Sequence, residues 1–162
     1  MADPHLSSGP GHLPGFPVVE LTIKDGGMWP TLRAGKPVWI TFTAHDHLYQ
    51  AGQIVIFETP FEDSGHRDSH QYWIQRIVAM AGDTIAVQAH QVLVNGVALV
   101  EPYVMEADSV EVAPTQIPPG HVWLQGDNRP SSFDSRLFGA LSTNFIVGLV
   151  SRHRPDDWKT VS

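Results

Sequence analysis

Attack by a hydroxyl on a carbonyl needs the hydroxyl itself and a neighbouring group that takes its proton. The 162-residue chain has no Cys, which excludes a thiolate nucleophile and a zinc–cysteine site. Its lysines are Lys24, Lys36 and Lys159. A lysine works as a base only when burial keeps it neutral, and Lys24 would need Thr31, Ser131, Ser132 or Ser135 beside it. His66 and His70 have a spacing that suits a metal on a helix. They sit in a Gly/Ser/Asp-rich stretch without a third ligand, so they read as solvated surface, as do His45 and His47. No metal and no cofactor is expected.

The elements that must position any such group read as short strands. Residues 18–23, 38–43, 53–58, 72–80, 84–88, 91–94, 121–125 and 145–151 are rich in β-branched and aromatic residues and alternate in part. Asn95-Gly96 between two apolar runs is a two-residue hairpin signal. Residues 102–119 and 126–139 read as loops. The pattern predicts an all-β fold. Between the first two strands, Asp25-Gly26-Gly27-Met28-Trp29-Pro30-Thr31-Leu32 forms a stiff corner. It displays Met28 and Trp29, read as a candidate docking pair for a partner protein. Residues 1–17 read as a flexible or docking arm, 18–151 as one β domain and 152–162 as a polar tail.

Formal net charge is −7 with 42% hydrophobic and 17% charged residues. That balance is globular and gives no charge-based reason to bind nucleic acid or an anionic membrane. No run approaches the roughly 18 apolar residues of a spanning helix, so membrane contact is expected to be indirect or peripheral. The start of the chain lacks the basic and apolar regions of a signal peptide.

Four segments stand in order: 26–32, 52–57, 74–83 and 120–139, the last reading Gly-His-Val-Trp-Leu-Gln-Gly-Asp-Asn-Arg and continuing through Ser132 and Asp134-Ser135-Arg136. This series resembles the type I signal peptidases, the membrane-bound Ser/Lys proteases. Glu20-Leu21-Thr22 and the 121–128 run look closest to the mitochondrial inner membrane peptidase branch. The resemblance implies a signal-peptidase/LexA-like fold of coiled antiparallel β-sheets.

The family's nucleophilic Ser precedes the Met of the first motif, and its general-base Lys precedes the Arg of the third. Here those positions hold Gly27 and Gln75. Glycine has no side chain and an amide does not accept a proton near neutral pH. The resemblance therefore leads to an expectation of a pseudo-peptidase that is not an enzyme. Asp25, Met28, Pro30, Arg76, Asp127, Asn128, Ser132, Asp134 and Arg136 would remain as scaffold of the former site. The expected role is a structural subunit of a larger, mitochondrial inner-membrane-associated complex, held by partner proteins. The alternatives are a presequence- or peptide-binding module using the former cleft and a serine peptidase processing signal peptides, its dyad either relocated or engineered out at Gly27 and Gln75.

Overall fold

A computed structural model describes residues 17–60 and 72–154. The arm before Pro17, the stretch holding His66 and His70, and most of the tail lie outside the described residues. The strands are β1 (Val18–Thr22), β2 (Pro37–Phe42), β3 (Ile54–Glu58), β4 (Tyr72–Met80), β5 (Thr84–Gln88), β6 (Gln91–Val94), β7 (Val97–Ala98), β8 (Val112–Gln116), β9 (His121–Gln125), β10 (Leu141–Ser142) and β11 (Ile146–Ser151). They form two antiparallel sheets, in the orders β1-β2-β11-β3-β4-β9-β10 and β7-β6-β5-β8. The expectation of an all-β fold of antiparallel sheets holds.

Local chemistry explains the parts the sequence predicts well. Asn95 and Gly96 both take positive φ, 52° and 79°. The turn sets Val94 opposite Val97. The Asn95 side chain accepts from Thr84 N at 2.9 Å and donates to Asp83 Oδ1 at 3.0 Å, tying the hairpin to the start of β5. At Gly148 on β11, an added Cβ would lie 2.7 Å from Thr41 O. Only glycine lets β11 pass that close to β2 beside its bulge.

Three readings need correction. Residues 102–119 are not all loop, because β8 pairs with β5 at the edge of the smaller sheet. Pro114 masked it, and an edge is where a strand tolerates proline. Residues 126–139 contain a 3₁₀ turn at Arg129–Ser131 and one helical turn, α1 (Ser135–Phe138). Asp134 caps α1 by accepting from Arg136 N. Finally, Met28 is not displayed for docking. It is 3% exposed and packs with Ile23, Leu32, Val38 and Ile54. The bond from Leu32 N to Met28 O at 2.9 Å coils the corner so that Met28 turns inward. Trp29 stays 44% exposed, and the Trp29–Pro30 peptide is cis.

Candidate active site

The corner is laced to the loop after β9. Asn128 N donates to Gly27 O at 3.0 Å, and Asn128 Nδ2 donates to Gly26 O at 2.9 Å. Asp127 N donates to Met28 Sδ at 3.4 Å. Asp25 Oδ1 accepts from Gly27 N at 2.9 Å. Gly126 sits where nothing larger fits: a Cβ there would lie 2.2 Å from Ser132 Oγ and 2.6 Å from Gly27 O. Its N–H is shared by Ser132 Oγ and Asp134 Oδ2.

Beneath this contact lies a buried ionic frame. Arg76, 0% exposed on β4, makes a two-pronged pair with Asp127 at 2.9 and 2.8 Å and also donates to Gly52 O at 3.0 Å. Thr31 donates its hydroxyl to the same carboxylate. Arg136 is held by Asp134 at 2.8 Å and by Asp108 at 2.6 Å. Arg129 donates to the other oxygen of Asp108 at 2.6 Å, and also to Glu101. Burial opposes the Arg129 charge, but Glu101 and Asp108 outweigh it and hold the guanidinium above its usual range. Tyr103 lies against Arg76, with the guanidinium carbon 3.7 Å from the ring centroid. Burial, reinforced by the Glu101 charge, pushes the Tyr103 phenol above its usual pKa despite the opposing pull of Arg76 and Arg129.

The structure thus places Asp25, Met28, Arg76, Asp127, Asn128, Ser132, Asp134 and Arg136 in and around one loop. Pro30 lies half-buried on the corner and lines a cavity with Thr31. Sequence reasoning missed Glu101, Tyr103, Asp108 and Arg129. The Glu-Pro-Tyr run just after the hairpin was the one signal available. Nothing local announced that these residues fold back onto residues 126–136.

The two positions that carry chemistry in the resembled family flank the loop. Gln75, 5% exposed on β4, donates from Nε2 to Phe133 O at 2.7 Å, and its Oε1 has no hydrogen-bond partner among the described residues. A Cβ added at Gly27 would lie 3.3 Å from Asp25 Oδ1 and 3.8 Å from Ser131 O, so the position admits a side chain after a small adjustment. Of the other hydroxyls, Thr31 is committed to Asp127, and Ser135 Oγ accepts from Leu124 N at 2.9 Å. Ser131 and Ser132 are the hydroxyl residues of the loop segment beside Gly27.

The family model described as signal peptidase, peptidase S26, matches residues 13–153. Thylakoidal processing peptidase 1 of Arabidopsis thaliana is 35% identical over 133 residues, covering 78% of this chain and 39% of the relative. Probable signal peptidase I-1 of Synechocystis is 33% identical over 129 residues, covering 78% and 65%. Signal peptidase I V of Bacillus subtilis is 27% identical over 148 residues, covering 82% and 83%. The chain therefore spans well under half of the first relative and about two thirds of the second. A signal peptidase I structure from Enterococcus faecalis aligns with a TM-score of 0.49 at 24% identity, covering 64% of this chain and 97% of that one.

These relatives correct the expectation that the chain is not an enzyme, since proteins 27–35% identical to it are named as peptidases. The expectation rested on positions 27 and 75 alone, whereas the site is built by many more residues than those two. The bracing of that site, from Arg76 and Asp127 to Asp134 and Arg136, is fully formed.

Proposed function

The chain belongs to the signal peptidase family, peptidase S26, and we propose that it processes signal peptides as a peptidase of that family. The observation that carries this reading is the match over residues 13–153, which takes in the corner, β4 and the whole braced loop. An apolar trough of about 600 Å³, lined by Val19, Leu21, Ile40, Phe42, Ile56 and Ile146 among others, supports it. Signal peptides carry an apolar centre of 7–15 residues.

Gly27 and Gln75 supply neither an attacking atom nor a proton acceptor. On this reading the hydroxyl comes from Ser131 or Ser132 beside the corner. Asp134 shares the Gly126 N–H with Ser132 Oγ, and Asp25 holds the Gly27 N–H on the corner. Attack by that hydroxyl on the scissile carbonyl would form an ester and release the new amine, and water would then free the acid. A membrane-associated setting accords with the thylakoidal name of one relative. A mitochondrial one rests on residues 20–22 and 121–128 alone. Contact with partner proteins would fall to the exposed Trp29.

One observation favours a second reading, in which the cleft binds presequence-type peptides. The Gln75 Oε1 acceptor is buried and unpaired, and a backbone N–H of an extended peptide would satisfy it. A quenched-fluorescence precursor peptide separates the readings. Turnover that falls at least 100-fold in Ser131→Ala or Ser132→Ala supports the first. Saturable binding with no turnover moves the assignment to the second. Neither binding nor turnover sinks both.

A further inference from the structure

The turn between the corner and β2 carries Arg33 and Lys36, and β11 runs out into Arg152. The ladder makes these cations converge. Ser151 stands opposite Trp39, so the next residue, Arg152, arrives level with the start of β2, where Lys36 precedes Pro37. With Thr31 and Trp39 they line a cavity of about 420 Å³ behind the corner, and no carboxylate residue is among its walls. Glu20, which faces Trp39 across the β1–β2 ladder, lines the apolar trough instead.

Two donors in these walls are buried without an acceptor among the described residues: Trp39 Nε1 and Arg152 Nε. Leaving a buried N–H unmet costs about 1–3 kcal/mol, so native folds rarely do it without a reason. The contrast inside the molecule is sharp. Arg76, Arg129 and Arg136 each grip a carboxylate. Among the described residues, Arg33, Lys36 and Arg152 grip none. In a chain of net charge −7, three unpaired cations gathered on one cavity form a local anion trap.

We propose that this cavity binds a phosphate group. Three cations call for more than one negative charge, and a phosphate presents several oxygens at once. It can accept from a guanidinium edge, an ammonium and an indole N–H together. The cavity is also larger than a bare ion needs, which leaves room for what a phosphate ester carries. The source is either free phosphate or the headgroup of an anionic lipid. The cavity shares Pro30 and Thr31 with the corner, Thr31 also reaching Asp127 of the frame, but its cations are none of the frame's and the proposal does not depend on the peptidase reading.

The test uses the full 162-residue chain, labelled with ¹⁵N. The indole N–H resonance of Trp39, assigned by its absence in Trp39→Phe, is followed during titration with inorganic phosphate at ionic strength held constant with chloride. A saturable shift is expected, with affinity about tenfold weaker in Arg152→Gln and in Lys36→Gln, as for loss of one charge-assisted bond. The remaining indole resonances report whether each variant stays folded. In parallel, sedimentation with vesicles of phosphatidylglycerol and phosphatidylcholine is compared with vesicles of phosphatidylcholine alone. Phosphate binding with a preference for the anionic vesicles, lost in both variants, identifies a lipid headgroup. Phosphate binding without that preference identifies free phosphate. The proposal is overturned if phosphate gives no saturable shift and the vesicles are not distinguished, or if both responses persist unchanged in the variants.

Discussion

Gln75 and Arg76 are neighbours on one strand, yet they serve regions built on opposite terms. Arg76 belongs to a frame in which each buried charge meets a partner: Asp127, Asp108, Asp134 and Glu101 against three arginines. Gln75 borders the corner at Gly27, where one amide oxygen is unpaired and one position has no side chain. The difference teaches that the frame's stability and the site's chemistry are separable. The frame holds the loop in place whatever occupies positions 27 and 75.

The largest effect should come from breaking the frame. Arg76→Ala or Asp127→Ala leaves its buried partner charged and without its ion pair, a loss of about 3–5 kcal/mol, read as a lower urea midpoint. Replacing both together with apolar residues should cost much less than the sum, because no orphan charge remains. Gly126→Ala comes next, at about 1–3 kcal/mol, because its methyl would collide with the Gly27 carbonyl and with Ser132.

A pH profile sharpens the same comparison. The Tyr103 phenol titrates above its usual value in the fold, so the unfolded chain loses that proton first. The resulting stability is fully present below the unfolded phenol pKa of about 10 and is lost as pH rises beyond it. Tyr103→Phe should flatten this alkaline decline in denaturation midpoints. A decline equally steep in the variant would assign it elsewhere. The smallest effect belongs to the corner: Gly27→Ser should stay within about 0.5 kcal/mol of the parent. A loss as large as that of Arg76→Ala would erase the distinction between the two regions.

What the sequence revealed and what it hid follow from range. The Asn95-Gly96 turn is legible because its two residues set their own φ. β11 is legible because burial alternates along it, and β3, β4 and β9 because short, largely buried runs read as apolar, β-branched and aromatic segments. Asp127, Asp134 and Arg136 could be gathered through the order of the motifs. The partnership of Asp108 with Arg129 and Arg136 could not, because more than twenty residues of chain separate them and the choice of partner is made by tertiary packing. Met28 was misread for a related cause. A large apolar residue on a tight corner can turn either way, and only the coil from Met28 to Leu32 decides it.

Whether the braced cleft processes signal peptides is decided by intact-mass analysis of a signal-peptide-bearing precursor incubated with the full chain. The account predicts a single cut that releases the signal peptide, kept in Gly27→Ala and Gln75→Ala and lost in the Ser131→Ala, Ser132→Ala double variant. A precursor left intact by the unmodified chain, or a cut that survives the loss of both serines, would contradict it.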